Sequence, residues 1–390
     1  MRLNRPIRRT QRLYVVIMLA CALLSMIAVE RSAAHDPVTS KYDYNNDVLP
    51  LLRDHCGRCH FEGGPAPMSL MAYQDAVPWA QAIRDELTSG RMPPWPVDPT
   101  SPAVRIGYPI SARDLDTIVE WASGGTPEGG FQAAQPVAIF HSRWNLGTPD
   151  LTIPIDIEQT VAANTIDEIR EFLLPTNLAE TRWIKAADLM PGTASLVRDA
   201  VIRIENGPML ALWQPGSGTA TAPPGTAFRL APDSKIHLQI HYRKHYNRES
   251  EVASDRSTIG LYFTDPPASG RGLESFAISP SDATGDFSGA STFAGTLPRA
   301  ARIVALRPML DRAYETLNVD AVMPSGARVP LLRLYGPRPQ WFRRYWLQEP
   351  VELASGSRIE ASVTPLSDDS DEPKTTQRFS LQVALDYVPL

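Results

Sequence analysis

The chain has 390 residues, 43% of them hydrophobic and 21% charged, a balance that excludes a disordered protein and, at about 150 residues per domain, suggests two or three domains. Its 36 prolines exclude a long-helix protein, because proline breaks helix interiors and belongs in turns and at strand edges. A net charge of −5 argues against a nucleic-acid binder, whose affinity rests on cations that neutralise phosphates.

Residues 1–34 carry the layout of a secretory signal. Arg2, Arg5, Arg8, Arg9 and Arg12 form a basic start, Leu13 to Val29 is almost wholly apolar, and Ser32-Ala33-Ala34 offers a small-residue cleavage site. The expected location is the periplasm. Retention as an N-terminal membrane anchor is the alternative, since 17 apolar residues sit at the lower limit for a bilayer; Met18-Leu19-Ala20-Cys21 makes a poor lipobox. Without this segment the chain holds 32 basic and 42 acidic residues, net −10, and only two of its three cysteines, Cys56 and Cys59.

Tyr44 to Arg53 reads as a helix with Val48, Leu49 and Leu52 on one face and Asn45 or Asn46 as its cap. It leads into Cys56-Gly57-Arg58-Cys59-His60, a CxxCH motif. Two thiols at this spacing can add to the vinyl groups of a haem, and the adjacent histidine reaches the iron from the same loop. A thioredoxin-like redox pair lacks the adjoining histidine and needs a βαβ pattern not seen here, and a structural zinc site needs a fourth ligand beside these three. The expected cofactor is therefore one covalent haem c.

A second short helix is expected over Trp79 to Leu87, followed by the proline-stiffened Gly90-Arg91-Met92-Pro93-Pro94-Trp95, which suits Met92 to bring a thioether to the open haem face. Met68, close to the motif in Pro65-Ala66-Pro67-Met68, is the other candidate for that position. Ser111 to Asp114 resembles a capping box, and Ile118, Val119 and Trp121 form the apolar stripe of a helix ending at Gly124-Gly125. From Tyr42 to about Gly129 these pieces, in this order, resemble a small class I type cytochrome c domain. The resemblance implies His60 and Met92 as axial ligands, and a six-coordinate haem that moves electrons and has no open site for a substrate.

Beyond Gln132 to Val137, which reads as a linker, short alternating runs are separated by Pro/Gly turns: Leu196–Ile204, Ile236–Tyr242, Thr258–Phe263, Ala301–Leu306, Leu317–Val322, Arg358–Val363 and Phe379–Tyr387. That texture indicates β-sandwiches. The expected organisation is a multidomain chain: a signal peptide over 1–34, a small all-α cytochrome c domain over 41–129, a linker over 130–137, and an all-β module of two jelly-roll-like sandwiches over 138–268 and 269–390.

Trp144-Asn-Leu-Gly147, Arg182-Trp183, Pro191-Gly192, Trp213-Gln-Pro-Gly216, Pro224-Gly225, His237-Leu-Gln-Ile-His241-Tyr242 and Ile259-Gly-Leu-Tyr-Phe263 resemble, in sequential order, the copper type II ascorbate-dependent monooxygenases. That family uses two coppers held by several histidines and a methionine. Here the expected His pair falls on Arg198-Asp199, the His-x-His falls near Pro308-Met309-Leu310-Asp311, and no histidine follows His245. His241 alone matches, as a residual metal site, and copper is not expected. His237 and His241 lie about 13 Å apart on a strand, too far to share one metal. Asp368 to Glu372 reads as a solvated acidic loop, and Trp341-Phe-Arg-Arg-Tyr-Trp346 as a strand packing its rings inward with snorkelling arginines or as a partner's docking patch.

The expected function is an exported electron-transfer protein with a β module that serves as scaffold or docking surface. Its partner would be a redox protein, with a basic face favoured by the net charge of the exported chain. The alternatives are a copper-dependent monooxygenase that uses the haem as reductant, against which the missing histidines weigh, and a structural haem subunit of a larger periplasmic or membrane-associated complex. No catalytic residues and no small-molecule substrate are expected.

Overall fold

The computed structural model describes Met18 and residues 39–62, 64, 66, 68–94, 97–105, 110–130, 144–245, 248–280, 290–366 and 380–390. The expected signal segment apart from Met18, residues 131–137 of the expected linker, Trp95 and the acidic loop at 368–372 lie outside the described residues. The protein is mostly β. Three α-helices of seven or more residues among the described residues, α1 (Leu49–His55), α2 (Ala80–Thr88) and α3 (Ala112–Ser123), precede the strands, and a π-helical turn over Tyr44–Val48 leads into α1.

The strands of the first half are β1 (Leu151–Pro154), β2 (Gln159–Val161), β3 (Asp167–Pro175), β4 (Arg182–Met190), β5 (Val197–Ile204), β6 (Met209–Trp213), β7 (Phe228–Leu230), β8 (Lys235–Arg243), β9 (Ala253–Asp255) and β10 (Thr258–Thr264). Those of the second are β11 (Glu274–Ile278), β12 (Ser291–Thr296), β13 (Ala301–Met309), β14 (Tyr314–Val322), β15 (Arg328–Tyr335), β16 (Tyr345–Leu353), β17 (Arg358–Pro365) and β18 (Gln382–Pro389). They build four four-stranded antiparallel sheets, ordered β1-β10-β4-β7, β3-β8-β5-β6, β11-β18-β13-β16 and β12-β17-β14-β15, with a small β2-β9 pair beside them. The first two sheets share one core, including Ile184, Ile202, Phe228, Ile236, Leu238 and Ile259. The last two share another, including Leu306, Leu317, Leu332, Ile359 and Leu385. Alternation explains the division of labour along a strand: in β8, Ile236, Leu238, Ile240 and Tyr242 are wholly buried while His237 and Gln239 face the other way.

The sheet pairs are joined through the β11-β18-β13-β16 sheet. One face fills the second core, and Val304, Trp346 and Val388 on the other enter the first. Between the pairs lies a buried charge cluster. Asp386 accepts from Arg344 Nε at 2.7 Å and from Arg307 Nε at 3.0 Å and Nη2 at 2.9 Å. Arg344 also donates to the backbone carbonyls of Leu210 and Met209 in β6. The arginine snorkelling expected for Trp341 to Trp346 is therefore corrected at Arg344: it is buried because Asp386 and two carbonyls satisfy it, while Phe342, Tyr345 and Trp346 pack inward.

The small all-α cytochrome c domain expected over 41–129 is not seen. The helices have a core of their own, with Tyr44, Val48, Leu52, Ile118 and Trp121 fully buried, but they are short and the segment between α2 and α3 leaves them. Pro93, Pro94, Pro99 and Pro102 deny that segment a helix. Extended, it runs along the β module, where Val97 bridges Leu334 of β15 and Val104 bridges Leu347 of β16. Asp98 N–H donates to Arg333 O at 3.0 Å and Arg105 N–H to Trp346 O at 2.8 Å. Both β15 and β16 are edge strands, so the segment covers edges that would otherwise present unpaired backbone groups. At the helix starts, Asp43 rather than Asn45 or Asn46 caps the first turn, its carboxylate accepting from Asn46 N–H at 2.8 Å, and Ser111 caps α3, accepting from Asp114 N–H at 3.1 Å.

Candidate haem-binding cavity

The CxxCH loop forms where α1 stops. Cys56 N–H and Gly57 N–H both donate to Leu52 O, and Cys59 N–H and His60 N–H both donate to Cys56 O. These bonds wind residues 56–60 into a tight loop. Gly57 is required there, because a Cβ would stand 2.6 Å from the Arg53 carbonyl oxygen and 3.0 Å from the Met71 sulfur. The loop opens onto a cavity of about 340 Å³, within the range of small-molecule and cofactor sites. Its helical wall is apolar, with Leu52, Leu70, Ile83, Leu87, Met68 and Met92; its opposite wall comes from the β module, with Arg198, Gln214, Pro215, Gly216, Trp341 and Arg343.

Both thiols are free and held in the protonated form. Burial pushes Cys56 up to about 12, helped by the neighbouring Cys59, and pushes Cys59 up to about 11 against the opposing charges of Arg198 and Arg58. A thiol–disulfide redox pair needs at least one depressed thiol, so this environment opposes that reading. Cys59 S–H donates to Pro215 O at 3.2 Å. Gly216, with φ +75°, brings its backbone so close that a Cβ would lie 2.8 Å from Cys59 Sγ and 2.9 Å from Arg58 Cβ. The turn after β6 is thus seated directly on the cysteine loop.

His60 pairs its Nδ1 with Met68 O at 3.2 Å. A carbonyl only accepts, so the proton sits on Nδ1 and the Nε2 lone pair is left for a metal, the usual arrangement of a ligating histidine. Burial lowers the His60 pKa, only partly offset by the Met68 bond, which keeps the imidazole neutral as ligation requires. Met92 and Met68 both line the cavity, so the sequence-derived pair of candidates for the second axial position stands together at one site. Near the loop, His55 Nδ1 is buried without a hydrogen-bond partner, and His55 Nε2 lies 3.7 Å from Asp114.

His241 lies elsewhere, on β8. Its Nδ1 meets Asp199 Oδ2 at 2.9 Å and its Nε2 meets Asp167 Oδ1 at 2.9 Å. Both ring nitrogens are engaged by carboxylates, and the imidazole bond holds Asp167 below the usual carboxylate range despite its burial. This carboxylate–imidazole–carboxylate clamp ties β3, β8 and β5 together. His237, on the same strand, is held between Arg203 and Glu171. Among the described residues no group of three or more His, Cys, Asp or Glu side chains is placed to hold a metal ion. Sequence reasoning missed Arg198, Gln214, Gly216 and Arg343 as parts of the cavity; they lie far from the motif in the chain, and no local signal marks them.

No family model and no curated protein matches this chain. Among solved structures it is similar to an allantoicase (10% identity over 56% of this chain and 77% of that one, TM-score 0.20). It is also similar to a Paenibacillus xanthan lyase (12% identity, 67% and 28%, TM-score 0.18) and to the CUB1-EGF-CUB2 domains of rat MASP-1 (10% identity, 59% and 97%, TM-score 0.15). Likeness at this level assigns neither a fold family nor a function. The resemblance to a class I type cytochrome c domain joined to a copper type II monooxygenase module is therefore corrected: no family model supports it, the protein is mostly β without the all-α domain, and the described residues hold no three-ligand metal group. The physical reason is that its short Trp, Pro and Gly pieces mark turns and strand starts common to many β proteins.

Proposed function

We propose that this protein binds one haem covalently through Cys56 and Cys59 and transfers electrons, in an exported setting, with the β module as its scaffold. The carrying observation is the CxxCH loop opening onto an apolar cavity with His60 Nδ1 committed to Met68 O. In this reading each thiol adds across one vinyl double bond, so that S–H and C=C become thioether and C–H with no atom lost. His60 Nε2 would hold the iron, and the thioether of Met92 or Met68 would complete its ligand set. When bound, the group supplies a one-electron Fe(III)/Fe(II) couple. The chain's own part is to fix the loop, hold the imidazole proton on Nδ1 and exclude water with Leu52, Leu70, Ile83 and Leu87. Each pair of sheets is read as a jelly-roll-like sandwich, and a redox protein is the partner.

No helix among the described residues is long and apolar enough to cross a membrane. The test is a denaturing gel stained for haem peroxidase activity, run on protein made in a host that matures c-type haem. The unsubstituted band should stain, and Cys56→Ala with Cys59→Ala should abolish the stain. An unstained band from the unsubstituted protein overturns the proposal.

A further inference from the structure

The geometry of the clamp on His241 fixes how many protons it holds. His241 is 7% exposed and Asp199 4%, and the two ring nitrogens meet Asp199 and Asp167 at 2.9 Å each. A neutral imidazole has one N–H and one lone pair, and an ionised carboxylate only accepts. Two such bonds need a ring that carries both protons. Asp167 does not supply the second one. Its bond to the ring and the nearby Arg243 and Arg198 hold it below the usual carboxylate range, so it is ionised at neutral pH. The clamp also stands beside the cavity. β5 and β8 run in register from Ile204 to Asp199, where Asp199 faces His241, and the next pair is Val197 with Tyr242. Arg198 is the extra residue between those pairs, a β-bulge, and a bulge re-aims the side chain it carries. Arg198 lines the cavity, with its guanidinium over Trp341 at 5.2 Å.

We propose that the Asp167–His241–Asp199 clamp is a pH-operated latch on the β wall of the cavity, closed while the ring carries both protons and opened when rising pH removes one. Opening replaces an N–H···O bond with a ring lone pair facing a carboxylate, at the position next to the bulge. The strand that carries Arg198 then loses one of its side-chain anchors, and β3, an edge strand of this sheet, loses a tie across β8 to β5. The charged groups around the ring are Asp167 on β3, Asp199 and Arg198 on β5 and Arg243 on β8, with Arg58 of the cysteine loop lining the same cavity as Arg198. The sign follows from which form the clamp holds. It binds the protonated ring, so its stabilisation is present on the acid side and is lost as pH rises. The latch does not depend on what the cavity holds, so its test stands apart from the haem assignment.

The experiment uses the full chain, labelled with nitrogen-15 at histidine, with and without His241→Gln. Nuclear magnetic resonance reads the ring protons, and the signal missing from His241→Gln is that of His241. Hydrogen exchange followed by mass spectrometry reads the strands, corrected at each pH for the intrinsic exchange rate. At neutral pH the His241 ring should carry both protons. As pH rises and one leaves, exchange in β3 and at the start of β5 should increase about tenfold, the weight of one hydrogen bond to a charged group, while exchange in β13 and β14 stays level. In His241→Gln the same strands should exchange at the faster rate at every pH, because an amide does not titrate. A ring with a single proton at neutral pH overturns the proposal, and so does a ring that loses its proton with no change in exchange. Should His241→Gln fail to fold, Asp167→Asn identifies the ring by the signal it shifts. The unsubstituted protein then decides: ring deprotonation and faster exchange over the same pH interval support the latch, and exchange that ignores the ring overturns it.

Discussion

At the scale of single residues, the bond from His60 Nδ1–H to the Met68 carbonyl gives one residue two candidate roles, since the Met68 backbone orients the imidazole and its side chain shares the cavity with Met92. The two methionines are separable by experiment. Sulfur ligation to ferric haem gives a far-red charge-transfer band; with Met92 as ligand, Met92→Ala removes the band and Met68→Ala keeps it, and the reverse pattern transfers the role to Met68. Gly216 tests the seating of the β turn on the cysteine loop. Its positive φ suits glycine, and an added methyl would stand 2.8 Å from Cys59 Sγ. Gly216→Ala should cost about 1–3 kcal/mol, the usual penalty for overpacking, measured by denaturant unfolding, with a lower yield of covalent haem. Unchanged stability and yield would show that the turn moves aside freely.

At the scale of elements, the stretch between α2 and α3 ties the helices to the β module. It lies across the edges of β15 and β16, and Arg105 anchors it there, donating its N–H to Trp346 O at 2.8 Å and its guanidinium to Thr221 O at 2.8 Å. Proline at this position removes the backbone donor and the side-chain bond together. Arg105→Pro should raise the locally open population about thirtyfold, the effect of roughly 2 kcal/mol for two lost hydrogen bonds. Limited proteolysis reads this directly: cleavage should speed up in this segment while cleavage within the sheets stays unchanged. Equal rates in the two proteins would mean that the bridges at Val97 and Val104 suffice.

At the scale of the molecule, the sheet pairs are locked by Asp386 between Arg307 and Arg344. Removing the shared carboxylate strands two buried cations, so Asp386→Asn should destabilise the protein by about 3–5 kcal/mol, seen as a lower unfolding midpoint in denaturant. The two arginines outweigh the burial that opposes them and hold the Asp386 carboxyl below its ordinary range. A depressed folded pKa means that its stabilisation is complete above the unfolded value of about 3.9 and is lost as pH falls through the folded value. Acid titration should therefore find stability flat from neutral pH down to about 5 and falling below it, with a shallower fall in Asp386→Asn.

The sequence by itself determined the β character of most of the chain, through two-residue alternation broken by Pro/Gly turns, and the cysteine loop, through a five-residue motif whose chemistry is local. It also placed the starts of α2 and α3 to within a residue, α3 through its Ser111 cap, because capping is settled by side chains a few positions apart. Tertiary structure decided the rest. Whether the helices stand alone depended on where a proline-rich strap finds backbone partners, and those partners lie in β15 and β16. Which residues complete the cavity depended on Arg198, Gly216 and Arg343 arriving from three distant elements, a juxtaposition that only packing creates. His241 makes the same point: its strand position was legible, but Asp167 and Asp199 on the two neighbouring strands, which engage both of its nitrogens, became its partners only through sheet register.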